Sequence, residues 1–155
     1  MVEPAFSIGA RLTRTGRRIP AGLDEATIKA VVEDFYGKAR RDELLGPVFR
    51  TAIPEAQWPQ HLATIGDFWS SMLLGTGRYH GRPMPVHLAL GGLDDAHFAR
   101  WLALLRQTVE AICTPEIALL FIDRAERVAN SFRLGMAAKR GEDSSAIVRM
   151  RALSQ

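Results

Sequence analysis

From residue 24 onward the apolar positions recur at helical spacing. Ile28, Val31, Val32, Phe35, Tyr36 and Ala39 make one broad stripe, predicting a first helix over roughly 24–41 that Asp24 or Thr27 would cap. Gly46 and Pro47 are expected to break it. After Pro54 a second helix carries Trp58, Leu62, Ile65, Trp69 and Met72, steps of four, three, four and three that keep one face apolar, until Gly75 and Gly77 stop it. The stretch 75–92 is the least regular: Gly81, Pro83 and Pro85 forbid a long helix and leave room for a short turn around 86–90. Asp94 or Asp95 then opens a third long helix through Phe98, Trp101, Leu102, Leu105, Val109 and Ile112. Pro115 suits the first position of a fourth, which carries Leu119, Ile122, Ala125, Val128, Ala129 and Phe132. Beyond Gly135 the chain turns polar and is expected to fray. There is no repeat and no useful β alternation, so the fold class is all-α.

Composition narrows this only slightly. The 155 residues fit one domain, and 47% apolar with 24% charged residues is ordinary for a globular chain. No apolar run approaches the ~20 residues of a membrane-spanning helix, and the N-terminus lacks the apolar stretch of a secretory signal. Its arginines faintly suggest an organelle transit peptide, but a solvated cytoplasmic tail is the simpler reading. Arg11, Arg14, Arg17 and Arg18 against Glu3 place the whole net charge of +3 within residues 1–22. The remaining body is neutral, which argues against nucleic-acid binding, where positive charge belongs on a folded face. The expected organisation is thus a basic, flexible extension over 1–22, a helical domain over 23–137 and a polar tail over 138–155. A single cysteine, Cys113, excludes an internal disulfide and suits a reducing cytoplasm; its apolar neighbours favour inert packing over reactivity.

Chemistry enters where polar rings interrupt the apolar faces. Tyr36 lies within the first helical stripe, His61 one turn before Ile65 on the second, and Trp101 three residues after Phe98 on the third. His87 differs, standing in the irregular segment after Pro85 and ahead of Leu88 and Leu90, where one ring nitrogen could project inward as a single axial ligand to haem iron. Taken singly, each has a plain structural reading: a Tyr or Trp on a helix face is usually core with its polar tip satisfied, and a lone inward His is usually hydrogen-bonded core. His80, in a Gly/Pro loop, and His97, beside Asp94 and Asp95, are expected to be exposed. No cysteine pair or HExxH offers zinc ligands, and no phosphate loop, dinucleotide fingerprint, nucleophile elbow or calcium loop is present.

The segment 27–130, about two-thirds of the chain, resembles the truncated haemoglobins, in particular group III. The resemblance rests on FYGKARRDELLGPVF at 35–49, WPQHLATIGDFWSSMLLGTGRY at 58–79, GRPMPVHLAL at 81–90, HFARWLALL at 97–105 and RAERVANSF at 124–132. It implies a shortened globin, a two-over-two helical sandwich enclosing haem b (iron protoporphyrin IX). On that resemblance His87 matches the proximal metal ligand, Tyr36 the distal tyrosine, His61 the distal position many globins fill with histidine, and Trp101 the indole over the haem. Phe49 matches a phenylalanine packed on the porphyrin and Ile65 a distal apolar position. Phe68 and Trp69 match aromatic positions near the haem edge, and Tyr79 completes the cofactor contacts. The extra residues before the first helix and the longer polar tail depart from the family pattern, which leaves regulation and partners open but not the pocket.

The implied function is reversible binding of O2 and other diatomic ligands (CO, NO) or peroxide, held tightly by donors from Tyr36, His61 and Trp101. Tight retention favours chemistry on the ligand, such as nitric oxide dioxygenation or peroxide handling, over delivery. Either needs electrons, and with no flavin or nicotinamide motif in the chain a separate reductase is expected. The alternatives are a gas sensor or reservoir without turnover, and a haem-free helical scaffold of globin shape.

Overall fold

The computed structural model describes residues 11–81 and 92–153, which contain five α-helices and no strands. The first, α1 (Glu25–Ala39), starts where Asp24 Oδ1 accepts the Thr27 N–H at 2.8 Å, satisfying one of the orphan donors of the first turn. Its stripe of Ile28, Val31, Val32, Phe35 and Ala39 is buried. Gly46 and Pro47 do not break this helix, which has already ended at Ala39; they open a second one, α2 (Gly46–Ala52). A proline in the first turn loses no hydrogen bond, because that N–H has no partner within the helix. The short turn expected around 86–90 lies outside the described residues.

A 3-10 turn (Glu55–Gln57) leads into α3 (Trp58–Leu74). Gly75 ends α3 with a φ of +71°, its N–H bonded to Ser71 O at 3.2 Å. Asp94 caps α4 (Asp95–Ile112) by accepting from the N–H groups of Ala96 and His97, while the His97 ring nitrogen Nδ1 reaches back to the Asp94 N–H. Pro115 opens α5 (Pro115–Lys139) as expected. That helix runs through Gly135 instead of fraying there, since Met136 and Ala137 continue the buried face of Ala129 and Phe132. Burial of that last turn outweighs the roughly 1 kcal/mol that a helical glycine costs.

The helices pack as two pairs, α1 with α3 and α4 with α5, and the pairs meet where α1 lies on α4. Phe35, Leu73, Leu102, Val109, Ile117 and Phe121 form the fully buried centre. Ser70, fully buried, is not left unsatisfied: its Oγ lies 3.1 Å from Glu25 Oε1 and 2.7 Å from Thr76 Oγ1, and accepts from Arg78 at 3.0 Å. Among the described residues no helix is long and apolar enough to cross a membrane.

Residues 11–22 were expected as a solvated extension, and their described contacts are specific. Leu12 and Arg18 form an antiparallel bridge, Thr13 and Ile19 are buried, and Arg11 bonds the Leu23 carbonyl. Arg17 Nη2 donates to Met72 O at 2.7 Å and Leu73 O at 3.2 Å, two carbonyls of the last turn of α3 that have no acceptor role inside the helix. The C-terminal stretch likewise returns to the helices. Asn130 binds both backbone groups of Met150 at 2.8 Å, and Arg106 donates to Ala152 O at 2.8 Å.

Gly75 joins the N-terminal hairpin to α3, for a Cβ there would stand 3.1 Å from Thr13 Cβ on a backbone of positive φ. Gly75→Ala should lower the unfolding free energy by about 1–2 kcal/mol. Urea denaturation reads this directly, and an unchanged midpoint would mean that the hairpin does not hold tightly against α3.

Candidate functional site

One face of α3, which shares Ile65 and Trp69 with the apolar stripe, does not close onto its neighbours completely. His61, Thr64, Ile65, Phe68 and Trp69 border a cavity of about 350 Å³. Tyr36 of α1 and Phe49 of α2 wall one side, Trp101 of α4 and Phe132 of α5 contribute others, and Tyr79 borders it from the loop after α3. All eight of the residues singled out from the sequence that fall within the described stretches therefore meet at one place: Tyr36, Phe49, His61, Ile65, Phe68, Trp69, Tyr79 and Trp101. His87, the ninth, lies outside the described residues.

The lining is predominantly aromatic and aliphatic, and its polar groups are few. The Tyr36 ring meets Phe35 edge-on at 4.8 Å between centroids and Phe49 at 5.6 Å, with His61 at 6.5 Å. Trp101 is itself edge-on to Phe35 at 5.9 Å, and its indole N–H favours the ionised form of the Tyr36 phenol. An indole can only donate. Towards Trp101 the phenol oxygen can therefore act only as acceptor, which leaves its own proton for another partner. Burial pushes the Tyr36 hydroxyl up to about 12 from its ordinary 10.0, against a smaller opposing pull from the Trp101 N–H, so it is a neutral donor throughout the physiological range. Burial also raises the Tyr79 phenol.

One expectation is corrected. His97 was expected to be exposed, yet its side chain keeps only 15% of its surface accessible and borders the cavity. The cause is the helix cap: Asp94 and His97 bind each other's backbone N–H groups, which folds the imidazole back against the first turn of α4. The signal was present in the sequence, since His97 stands four residues before Trp101 and so shares its helix face. His80 is exposed, as expected. Cys113 is half-buried and burial pushes its thiol up, away from the reactive thiolate. Among the described residues no three His, Cys, Asp or Glu side chains gather to hold a bare metal ion.

The chain is 35% identical over 113 residues to the Group 3 truncated hemoglobin ctb of Campylobacter jejuni, covering 72% of this chain and 89% of that protein. It belongs to the group III truncated haemoglobins. The crystal structure of the group III truncated hemoglobin from Campylobacter jejuni agrees, with a TM-score of 0.69 and 34% identity over 74% of this chain and 92% of that one. No protein-family model matches the chain. The helix pairs of the preceding section are thus those of a truncated globin, and the cavity of this truncated haemoglobin lies between them.

Because the buried phenol of Tyr36 titrates near 12 and an unfolded one near 10, the native state of the truncated haemoglobin holds the proton more tightly. The stability this confers is complete below pH 10 and is lost as pH rises from 10 towards 12. Chemical denaturation across that window should show a loss beyond that of Tyr36→Phe, which lacks the group; parallel curves for the two proteins would disprove the shift.

Proposed function

We propose that this truncated haemoglobin binds haem b in the cavity through His87 and holds a small diatomic ligand beneath Tyr36, His61 and Trp101. The observation that carries the proposal is the convergence of Tyr36, His61 and Trp101 on one largely apolar cavity. The residues present suit the group: a flat, largely apolar macrocycle would find aromatic and aliphatic walls, and a polar ligand at its centre would find donors. Phe49, Ile65, Phe68, Trp69 and Tyr79 would contact the macrocycle. When bound, haem would supply an iron atom that takes diatomic gases.

What the chain supplies is orientation and dryness. Towards the donor-only indole the Tyr36 oxygen can serve only as acceptor, which leaves the phenol proton for any acceptor in the cavity. His61, edge-on to Tyr36, adds a second group able to donate. In a cavity walled by Phe68, Phe98 and Phe132 water competes poorly, and a hydrogen bond to an acceptor carrying negative charge contributes about 1.5–3 kcal/mol. Such retention suits chemistry on the held ligand, nitric oxide dioxygenation or peroxide handling, with electrons from a separate reductase.

Visible absorption of the protein expressed with haem supply should show a haem band, and His87→Ala should lose the histidine coordination. A colourless protein that refuses added haemin would overturn the reading. In stopped flow, Tyr36→Phe should release O2 about tenfold faster, the factor that corresponds to one lost bond of ~1.4 kcal/mol. Repeated consumption of nitric oxide with a supplied reductant would establish turnover; a single round would make the protein a gas sensor or reservoir.

A further inference from the structure

Trp58 was read from the sequence only as one more apolar position of α3, but its surroundings set it apart. It stands three residues before His61, so the two rings share a helix face one turn apart. They meet edge-on at 5.3 Å and 88°. Trp58 also packs against Phe49 at 5.8 Å and Tyr36 at 6.3 Å. Each of these three neighbours borders the cavity, whereas Trp58 borders a separate groove of about 700 Å³ on the outer side of α1 and α3. The indole is 3% exposed. It forms a partition one ring thick, with the pocket's polar wall on its inner side.

On its outer side the ring meets a cation. The Arg40 guanidinium carbon lies 4.2 Å from the Trp58 centroid, and Arg40 Nη2 is held 2.6 Å from Glu55 Oε2. Arg40 is the C-cap residue of α1 and Glu55 opens the turn before α3, so the pair also ties together the two helices that carry Tyr36 and His61. An exposed ion pair contributes little stability by itself. Its consequence here is geometric: with Glu55 fixing the guanidinium, Arg40 holds one face of the indole while Tyr36, Phe49 and His61 pack around the rest.

We propose that Trp58 is a positioning residue for the polar wall, clamped from solvent by Arg40 and Glu55, and that the clamp sets how closely His61 and Tyr36 approach a ligand. This rests on the haem reading above. A hydrogen bond weakens steeply with angle, so a small rotation of either ring would be felt in ligand retention without any loss of fold.

The test uses the full-length, haem-loaded protein and four variants: Arg40→Ala, Glu55→Gln, Arg40→Lys and Trp58→Phe. Three readouts are compared: O2 dissociation by stopped flow, the infrared C–O stretch of the CO-loaded protein, and NMR cross-relaxation between the Trp58 and His61 rings. Arg40→Ala is expected to release O2 about threefold faster, broaden or split the C–O band and weaken the ring cross-peaks. Its melting temperature should stay within about 4 °C of the parent. Glu55→Gln should move the same way by less, and Trp58→Phe should match or exceed Arg40→Ala. Arg40→Lys, which keeps a cation over the ring, should recover most of the parental behaviour. Unchanged band, off-rate and cross-peaks in Arg40→Ala would overturn the clamp while leaving haem binding intact. If the chain takes up no haem, the function proposed above falls by its absorption spectrum, and the cross-peaks of the protein as isolated decide the clamp: weakened in Arg40→Ala upholds it, unchanged refutes it.

Discussion

A cavity of about 350 Å³ within a 155-residue helical chain must be kept from collapsing. Protein interiors pack to nearly crystalline density, and a void forgoes the contacts its lining would otherwise make. Large rings hold this one open: Trp101, Phe68, Trp69 and Phe132 come from three helices and are too bulky to close over one another. The cost of holding them apart falls on the helices behind, which need attachments that do not pass through the cavity. Arg17 supplies one at the end of α3, and the bidentate pairing of Arg133 with Asp95 supplies another between α5 and the start of α4. The Asn130–Met150 bonds fasten the C-terminal stretch across α5 in the same spirit. An apolar occupant with affinity for the native state alone would stabilise the fold further by mass action.

The four long helices were legible because their apolar periodicity extends over many turns, and both aspartate caps and the Gly75 stop were visible from residue type. The misreadings share a cause. Gly46 and Pro47 were taken as a break because a proline forbids the interior of a helix yet favours its first turn, and only the observed end of α1 at Ala39 tells which applies. The polar turn beyond Gly135 suggested fraying, but the buried packing of Met136 and Ala137 carries the helix on to Lys139. The terminal contacts could not be read at all. Arg17 meets carbonyls 55 and 56 residues away, and a main-chain carbonyl carries no mark of its partner in the sequence.

The pocket was more legible than the fold's margins, for a physical reason. A polar ring on an apolar face is costly unless something satisfies it, so Tyr36, His61 and Trp101 stood out against their stripes, and the structure brings them to one cavity. His97 was placed in solvent because the same capping chemistry that makes a histidine beside two aspartates look solvated also turns it inward. Trp58 escaped notice because tryptophan in an apolar stripe needs no explanation until its outer face is seen to carry a guanidinium.

The donor-only character of Trp101, which shares the cavity with Tyr36, limits what the pocket can recognise. Two groups that could each donate or accept would leave the wall indifferent to its ligand. Here the indole can only donate, the Tyr36 oxygen can serve it only as acceptor, and the raised titration of the phenol keeps its own proton in place. The wall presents donors and, at Tyr36, a fixed sense of donation. A ligand that gathers negative charge on the atom facing Tyr36 is favoured over one that stays neutral there, since a charge-assisted bond is roughly twice as strong as a neutral one. For haem bound as proposed, discrimination among diatomic ligands of similar size would therefore follow the charge each develops, and the apolar lining would sharpen that preference by excluding the water that could answer the same charge.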